Sequence, residues 1–329
     1  MFAVTVNPKV ENSISIKEVP VPTMNAGEVL IQLKSAALNH RDIFINRSPS
    51  WASDWKELIA GGDGAGVIID MAPDVTEWQI GDEVMLNPFI EEDEASLKFL
   101  GGPSDGTFAQ FLNVPANKLF KKPSYLTFEE AAAIPLALST AWGTVVTQGK
   151  IKEGETVLIQ GIGGGVALFC LQLAVAKGAK VYVTSGSDEK IKEAIKLGAL
   201  AGVNYKTEDV IERVLELTNQ RGVDVAIDSN GKESIHKSAK IIAEGGRLLV
   251  FGSTTGSIGK EIPALSYYVE TGMVTHEELE DALQFYFQHK MKPMISERRF
   301  TLSTIKEAYL ELSEAKQFGK VVINIEGEQ

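Results

Sequence analysis

Two styles of hydrophobic patterning divide the chain. Up to about residue 123, apolar positions alternate with polar ones or form short clusters between glycine, proline and asparagine. Segments such as SISIKEVPVP, EVLIQLKSAAL and GAGVIIDMA are typical of short β-strands separated by tight turns. The pattern therefore predicts a β-rich, partly open barrel over residues 1–124.

The pattern changes after residue 124. Thr127, followed by Glu129 and Glu130, predicts a capped helix that is bent or restarted at Pro135. The segments TVLIQ, a glycine run, VALFCLQLAVAKG and KVYVTS then form a strand–turn–helix–strand unit. Further strands (AGVNY, VDVAIDS, RLLVFGS) alternate with helices, the last through HKSAKIIAEG. This alternation predicts an α/β domain, a doubly wound parallel sheet covered on both faces, over residues 125–261.

The tail returns to a different style. HEELEDALQFYFQHK and STIKEAYLELSEAKQ read as amphipathic helices, the second capped by Ser303, and KVVINI reads as a closing strand. If this strand rejoins the first sheet, the parallel-sheet domain is an insertion. We therefore expect residues 1–124 and 262–329 to form one domain.

Composition narrows the function classes. A chain with 44% hydrophobic and 23% charged residues is globular, and its net charge of −12 opposes binding to nucleic acid. It has no apolar run of 18 residues, so we expect no membrane span. Its one cysteine, Cys170, lies in the apolar stretch LFCLQLA and reads as a core residue. Without a disulfide framework or a signal-peptide pattern, we expect a cytoplasmic protein.

The glycine run after TVLIQ has the chemistry of a dinucleotide-binding turn. Glycines permit a tight turn and let the backbone approach a pyrophosphate, and the following helix directs free N–H groups at the phosphates. The sixth position of the usual G-x-G-x-x-G pattern is Val166. The alternative is a purely structural turn. The predicted contacts with the cofactor are Gly161, Gly163, Gly164, Gly165 and Val166.

The end of the second strand distinguishes NADP from NAD. NAD sites place an acidic residue there for the ribose hydroxyls. This chain has Ser185 and Ser187 instead, with Lys190 one turn into the helix, which favours the 2′-phosphate of NADPH over NADH. Asp188 and Glu189 argue against this, and the alternative is that Ser187 only caps the helix while Lys190 is solvated.

These residues resemble a known family. The chain is similar to medium-chain dehydrogenases/reductases of the zinc-independent branch, near quinone oxidoreductases and alkenal or enoyl reductases. The resemblance implies a GroES-like catalytic barrel split across both termini, around an inserted Rossmann domain. It rests on EVLI at 28–31, ALNHRD at 37–42, GGDGAGV at 61–67, GDEV at 81–84, AAIP at 132–135, TAW at 140–142, the turn at 161–167, Asp228-Ser229, Phe251-Gly252 and Gly319-Lys320.

The zinc-dependent members carry metal ligands that this chain lacks. The resemblance places their catalytic ligands in the segments matching 38–42 and 62–63 and at a later cysteine. Here those places hold Asn39, Gly62, Asp63 and Leu136. Region 87–110 also lacks the four cysteines of the structural zinc lobe. Zinc takes about four nitrogen, sulfur or oxygen ligands, so we expect no zinc.

Catalysis without a metal requires a positioned nicotinamide and a donor for the developing oxyanion. By resemblance, Asn39 is the donor and Thr140 contacts the nicotinamide. Phe251 and Gly252 would line its carboxamide. The resemblance also implies that Asn230 faces the pyrophosphate or the nicotinamide ribose and that Lys320 touches a cofactor phosphate or the carboxamide. Phe44, Trp51 and Trp55 lie where the substrate lid should be.

Several of these residues also have simpler interpretations. Asn39 would cap a helix beginning at His40, and His40 with Arg41 would form a surface pair with nearby carboxylates. Asp63 reads better as a structural carboxylate bonded to the glycine-rich loop around it than as a catalytic group. The aromatic residues of the lid would either stack on a flat quinone or pack on one another.

Three functions remain open at this stage. The first is an NADPH-dependent reductase of quinones or α,β-unsaturated carbonyls, acting on a small molecule without zinc. The second is a zinc-free alcohol or carbonyl dehydrogenase, and the third is a non-catalytic NADPH-binding protein. We expect a homodimer, although the segment 257–276 is shorter than in relatives, which puts the usual dimer strand in question.

Overall fold

The computed structural model describes residues 1–47, 54–92, 97–231, 234–252 and 268–325. The strands are β1 Phe2–Val6, β2 Ser15–Glu18, β3 Glu28–Ala37, β4 Leu58–Ile59, β5 Asp63–Met71, β6 Glu83–Leu86, β7 Phe89–Glu92, β8 Leu97–Leu100, β9 Pro103–Ser104, β10 Phe111–Pro115, β11 Leu119–Lys121, β12 Thr156–Ile159, β13 Lys180–Ser185, β14 Ala201–Asn204, β15 Val223–Asp228, β16 Ile242–Val250, β17 Tyr268–Glu270, β18 Phe300–Thr301 and β19 Val322–Asn324. The helices are α1 His40–Arg47, α2 Phe128–Ala132, α3 Pro135–Trp142, α4 Gly165–Ala176, α5 Asp188–Lys196, α6 Val210–Leu217, α7 Ile235–Ile241, α8 His276–Gln288 and α9 Ile305–Ser313.

The chain forms two compact units. The first combines Met1–Leu136 with Lys292–Gln329, and the second is Ala137–Met291. Both boundaries lie further along the chain than the sequence pattern predicted. Helix α2 stays with the first unit because it packs on β3 and β5, whereas α8 stays with the second, where Tyr286 packs on Phe169 with ring centroids 5.4 Å apart.

The first unit is built on a seven-stranded sheet that is antiparallel except for the parallel pair β18 and β19. Its strands lie in the order β11-β6-β5-β3-β19-β18, and β10 also pairs with β3. Along β3 alternate side chains are buried, which is the pattern of a strand with one face on a core. Smaller sheets of order β2-β1-β4 and β7-β8-β9 complete this unit. The β-rich character predicted for the first segment is confirmed.

The closing strand returns to this sheet. β19 pairs antiparallel with β3, with Val322 opposite Ala37, and the Ser35 hydroxyl donates to the Ile323 carbonyl at 3.1 Å. The second unit is therefore an insertion between two parts of the first, as the tail pattern indicated.

The second unit contains the predicted parallel sheet. Its strand order is β14-β13-β12-β15-β16-β17, and all neighbouring pairs are parallel. This is the doubly wound order in which a dinucleotide binds at the carboxyl ends of the strands, where the winding direction reverses between β12 and β15. The α/β fold class predicted from the sequence is confirmed.

Two element boundaries differ from the sequence pattern. The helix predicted through residue 245 ends at Ile241, because the backbone is already extended at Ile242, with φ −76° and ψ 130°, where β16 begins. At α9 the N-cap is Thr304 instead of Ser303. The restart at Pro135 is confirmed, since α2 ends at Ala132 and α3 begins at Pro135.

Hydrophobic burial follows the predicted cores. Cys170 is fully buried in α4 and its burial raises the pKa of the thiol well above its ordinary value, so it is a core residue, as expected. Within the described part of the chain, every helix is too short or too polar to cross a bilayer.

Candidate active site

Three polar side chains from distant parts of the sequence meet inside the first unit. Asn39 follows β3, Asp63 opens β5 and Lys320 lies just before β19; their exposed fractions are 8%, 0% and 4%. The Lys320 ammonium donates to Asn39 Oδ1 at 2.6 Å and to Asp63 Oδ2 at 2.9 Å. Asn39 Nδ2 donates to the same Asp63 oxygen at 2.9 Å. We call Asn39, Asp63 and Lys320 the polar triad.

Backbone contacts hold the triad in place. The Leu136 N–H donates to the second oxygen of Asp63 at 2.9 Å, so both carboxylate oxygens are occupied. Lys320 is fixed by its own amide, which donates to the Met294 carbonyl, and by its carbonyl, which accepts from Ser296. Asp63 is therefore a structural carboxylate, as expected, but the expected partners were wrong. It bonds Asn39, Lys320 and Leu136, whereas the sequence pointed to the surrounding glycine loop.

The start of α1 is organised differently from the expected cap. The Asp42 carboxylate accepts from the Asn39 backbone N–H at 2.8 Å, so Asp42 is the first-turn acid that binds the helix start. The Asn39 side chain faces the polar triad, and the expectation that it caps α1 was wrong. Because a side chain bonded to Asp63 and Lys320 is held in one rotamer, Asn39 is well placed to act as a fixed hydrogen-bond donor.

His40 and Arg41 are not the surface pair that the sequence suggested. Arg41 donates to the Leu100 carbonyl at 2.7 Å and to the Gly102 carbonyl at 3.2 Å, and its guanidinium lies 5.0 Å from the Phe99 ring centroid. Arg41 therefore ties α1 to the β7-β8-β9 sheet, whose carbonyl groups attract its charge.

The electrostatics around α1 are shaped by burial. Burial, together with the charge of Lys320, lowers the pKa of His40 to about 4, so its imidazole is neutral at physiological pH. Burial raises the pKa of Asp42 to about 6, although Arg41 and the Asn39 N–H both favour its ionised form. The two groups thus shift in the directions expected when charged forms lose water.

The structure describes two of the three aromatic residues that the sequence predicted to contact the substrate. Phe44 is half-buried on α1, with its ring centroid 6.4 Å from that of His40. Trp55 packs against the hydrophobic core of the first unit, and its ring lies so close to Gly102 that a Cβ there would stand 2.1 Å from it. Trp51 lies outside the described residues. Stacking of these rings on a substrate stays a prediction.

In the second unit, the glycine turn connects β12 to α4 as the pattern predicted. Gly161 has a φ of +71°, and a Cβ on it would stand 3.1 Å from Asn230 Oδ1. Gly164 is the N-cap of α4 and brings no side-chain cap, so the first N–H groups of the helix are left to bind a ligand. The left-handed backbone conformation favours glycine at position 161, and a Cβ there would also push the Asn230 side chain aside by a few tenths of an ångström. Gly163 has a φ of 157°, and Gly165 and Val166 form the first turn of the helix.

A buried hydrogen-bond relay supports this turn. The Gly161 N–H donates to the Thr184 hydroxyl at 3.1 Å, and that hydroxyl contacts Gln160 Oε1 at 3.4 Å. The Gln160 amide donates to Ser238 at 2.6 Å, which in turn donates to the Asp228 carboxylate at 2.9 Å. The relay thus runs across the carboxyl ends of β13, β12 and β15.

Asp228 also orients the loop that carries Asn230. Its other oxygen accepts from the N–H groups of Asn230 and Gly231 at 2.9 and 3.2 Å and from the Ser234 hydroxyl at 2.7 Å. Sequence reasoning missed Gln160, Thr184, Ser238 and the role of the Asp228 carboxylate. A signal for three of them was present in the sequence: Gln160, Thr184 and Asp228 are polar residues at the ends of otherwise apolar strands.

The end of β13 carries the residues predicted to select the cofactor. Ser187 caps α5 by accepting from the Lys190 N–H at 3.4 Å, and its hydroxyl donates to Glu189 at 2.7 Å. The Ser185 hydroxyl accepts from the Ser187 N–H at 3.2 Å. The simple capping role of Ser187 is therefore real, and Lys190 is half-buried.

Two residues that were not among the predicted site residues, Tyr205 and Lys206, also lie at this strand end. A Cβ on Gly186 would stand 2.8 Å from the Lys206 side chain and 2.9 Å from the Tyr205 ring. The Asn204 side-chain amide donates a hydrogen bond to the Asp188 carboxylate at 2.7 Å. The predicted strand AGVNY ends at Tyr205, whereas β14 ends at Asn204, so Tyr205 and Lys206 directly follow the strand. The parallel pairing of β13 with β14 places them at this strand end.

One hydrogen-bond network of the second unit joins Thr140 to the residue that precedes Phe251. The Thr140 carbonyl accepts from the Thr144 hydroxyl at 2.8 Å, and Thr144 contacts the Thr271 hydroxyl at 2.9 Å. Thr144 lies in a π-helical turn, Gly143–Thr147, that continues α3. The Thr271 N–H donates to the carbonyl of Val250, the residue before Phe251, at 2.7 Å. Phe251 and Gly252 directly follow Val250 in the chain, and Val250 is held by this network.

Metal-ligating side chains do not cluster in the part of the chain described. Among those residues there is no group of three or more His, Cys, Asp or Glu side chains placed to hold a metal ion.

A split β-barrel unit with an inserted doubly wound unit, and a glycine turn at its strand ends, defines a two-domain dehydrogenase or reductase. Residues 25–124 match the model of the alcohol dehydrogenase GroES-like domain, and residues 165–286 match that of the zinc-binding dehydrogenase. The chain belongs to the medium-chain dehydrogenase/reductase superfamily and is an oxidoreductase of that family.

Known proteins agree with this assignment over nearly the whole chain. A zinc-type alcohol dehydrogenase-like protein YogA of Leptosphaeria maculans is 32% identical, over 98% of this chain and 99% of the relative. Crotonyl-CoA reductase of Streptomyces collinus is 27% identical, over 94% of this chain and 81% of that enzyme. A crystal structure of an NAD-dependent alcohol dehydrogenase matches with a TM-score of 0.92 and 32% identity, covering 99% of this chain and 100% of its own.

Proposed function

We propose that this protein is an NADPH-dependent reductase that transfers hydride to a quinone or an α,β-unsaturated carbonyl compound without a metal ion. The polar triad is the observation that carries the proposal. It offers a buried amide donor, beside an ammonium group, in the segments where zinc-dependent relatives hold their metal. The likeness to crotonyl-CoA reductase, a reductase by its name, supports the same reaction class.

The residues present do not fit a catalytic zinc ion. Asp63 is the one ionisable ligand type among the four matching positions, and its two oxygens already accept bonds from Leu136, Asn39 and Lys320. The Lys320 ammonium neutralises that carboxylate at 2.9 Å, and a divalent cation beside it would be repelled. The donor set lacks the nitrogen and sulfur ligands that zinc prefers.

The second unit fits a dinucleotide. The glycine turn and the uncapped start of α4 offer backbone donors for the pyrophosphate, and the Asp228 relay fixes the Asn230 loop beside it. When bound, the nicotinamide supplies hydride to the acceptor. The chain's own task is then to stabilise the negative charge that develops on the acceptor oxygen, and the Asn39 amide supplies a donor for it.

The cofactor proposal rests on the end of β13. Ser185 and Ser187 replace the acidic residue expected of an NAD site, and Lys190 and Lys206 bring positive charge to it. The carboxylate of Asp188 is held by Asn204 and that of Glu189 by Ser187. One solved relative is described as NAD-dependent. The relative affinity for NADPH and NADH is therefore the first property to measure.

Assays with purified protein test the reaction. We expect saturable oxidation of NADPH in the presence of a quinone or an enone, with no loss after chelator treatment. Turnover confined to an alcohol substrate in the oxidative direction would support a zinc-free alcohol dehydrogenase instead, which the names of two of the relatives favour. Tight NADPH binding without turnover of any acceptor would leave a non-catalytic NADPH-binding protein.

Cofactor selection has its own test. Replacing Lys190 by glutamate should raise the Kd for NADPH by roughly 100-fold and leave the Kd for NADH within about threefold, because the new carboxylate repels a 2′-phosphate that NADH lacks. Lys192→Glu, in the same helix, is the matched control for a general charge effect. Equal losses for both cofactors in Lys190→Glu would contradict the NADPH assignment.

A further inference from the structure

We infer that Lys320 and Asp63 are positioning residues for the proposed reduction, because together they fix the Asn39 amide so that it presents an N–H donor to the acceptor oxygen. This inference rests on the proposed function and names the groups that set the hydrogen-bonding polarity of its site. Lys320 and Asp63 act through Asn39 and do not themselves touch the reacting atoms.

The orientation of the amide follows from the chemistry of its neighbours. An ammonium group has only donors, so the Asn39 atom at 2.6 Å from Lys320 has to be the oxygen. A carboxylate has only acceptors, so the atom at 2.9 Å from Asp63 has to be the nitrogen. A flipped amide would place donor against donor and acceptor against acceptor. With all three side chains buried, that arrangement is strongly unfavourable.

The second N–H of the amide is only weakly bonded within the protein. Asn39 Nδ2 carries two hydrogens, and the bond to Asp63 uses one of them. The other has the Ala37 carbonyl at 3.5 Å, at the outer limit of a hydrogen bond. A substrate oxygen that gains negative charge during hydride transfer is a better acceptor than this distant carbonyl, and the N–H is available to it.

The triad also polarises the donor. A cation at the amide oxygen draws electron density towards Oδ1 and makes the remaining N–H more acidic, and hydrogen bonds in a chain strengthen one another in a low-dielectric interior. The charge of Lys320 is balanced by Asp63 at 2.9 Å, so the group can stay buried in its charged form. Lys320 therefore contributes through Asn39 without a direct contact with the acceptor.

Two sets of variants test the inference. Lys320→Met removes the cation and keeps the length of the side chain; we expect kcat for the best quinone or enone to fall at least tenfold while the Kd for NADPH changes less than twofold. Lys122→Met is the matched control. Lys122 is also buried in the first unit, where it donates to the Leu126 carbonyl at 2.6 Å and pairs with Glu83. Its loss should lower the Tm but leave kcat within twofold.

The second variant exchanges the two side chains, Asn39→Asp with Asp63→Asn. The net charge and the size of the cluster are conserved, and Lys320 keeps a carboxylate partner at position 39, which now offers acceptors only. The amide at position 63 can accept from the Leu136 N–H only by turning its NH2 group towards Lys320. We expect a lower Tm than the wild type because of that contact, unchanged NADPH affinity of the folded protein measured by fluorescence, and a kcat reduced at least 100-fold, the size of effect seen when an oxyanion donor is lost.

The outcomes separate the inference from the proposed function. A wild-type protein that reduces no quinone or enone overturns the proposed function and, with it, this inference. An active wild type together with an equally active exchange variant overturns the inference alone. So does a Lys320→Met protein whose only defect is weaker NADPH binding, which would assign Lys320 to the cofactor.

Discussion

At the scale of single residues, burial sets the charge states around α1. His40 and Asp42 lie two positions apart, and their pKa values move in opposite directions, that of His40 down to about 4 and that of Asp42 up to about 6. For His40 the folded state binds its proton less tightly than the unfolded chain. For Asp42 the folded state binds its proton more tightly. The two groups therefore influence stability in opposite directions over the same range of pH.

His40→Gln should expose this opposition. The stability that His40 contributes is complete above its unfolded pKa of 6.5 and is lost as the pH falls towards 4. Relative to the wild type, the variant should therefore gain roughly 2 kcal/mol of stability when the pH is lowered from about 7 to about 5, at 1.36 kcal/mol per unit. Urea denaturation at the two pH values measures the difference.

Asp42→Asn provides the opposite case. The ionised Asp42 carboxylate disfavours folding above about pH 6, and this cost decreases as the pH falls towards 3.8. Without it, the protein should lose stability on acidification more steeply than the wild type. Identical slopes for wild type and both variants would show that neither group is shifted in the folded protein.

An unpartnered hydroxyl gives a second test at this scale. Tyr309 is buried, its burial raises its pKa well above the ordinary value, and within the described residues its hydroxyl has no hydrogen-bond partner. Tyr309→Phe should leave the free energy of unfolding unchanged or raise it by up to about 1 kcal/mol, because no bond is lost. Tyr286→Phe is the control: its hydroxyl donates to Gln172 at 3.1 Å, and its removal should cost about 1 kcal/mol. A clear loss in Tyr309→Phe would reveal a partner.

At the scale of elements, the turn between β12 and α4 combines a left-handed backbone at Gly161 with the proposed contact to the cofactor. Gly161→Ala should lower NADPH affinity at least tenfold, because its Cβ meets Asn230 and the backbone would shift away from the pyrophosphate. Gly154→Ala is a matched control with a φ of +81° and open space around its Cβ. Both changes should cost about 1 kcal/mol of stability, since each forces a side chain into the left-handed region. Calorimetric titration with NADPH should separate them; equal affinities would argue against a pyrophosphate at this turn.

Element by element, periodicity predicted most of the fold. The strand–helix alternation of the second unit and the capped helix at Thr127 are local patterns, and the structure contains them. The boundary between α7 and β16 at Ile241 was missed, because the extended segment from Ile242 pairs with β15, a contact that the local sequence pattern does not show. The polar triad was also missed as a unit. Its members were named separately, but residues 39, 63 and 320 become neighbours only through the pairing of β3 with β5 and β19.

At the scale of the whole molecule, the closing strand completes the first unit. Ile323 in β19 is fully buried in the core of that unit. Ile323→Ala should therefore destabilise the protein by about 3 kcal/mol, through lost burial and the cavity left behind. Ile195→Ala, on the exposed face of α5 at 44% exposure, should cost less than about 0.5 kcal/mol. Thermal unfolding of both variants checks the difference; similar losses would show that β19 contributes little to the core.

The pairing of β3 with β19 also bears on how the protein is made. On the ribosome, β3 emerges early, while its neighbour is synthesised 288 residues later, as the bond from Ser35 to Ile323 shows. Until then part of β3 is an open edge that can recruit strands from other nascent chains. The inserted Rossmann unit can fold during that interval. Slow translation of the intervening stretch would therefore prolong the exposure to aggregation, and protection by chaperones would matter most until β19 has left the exit tunnel.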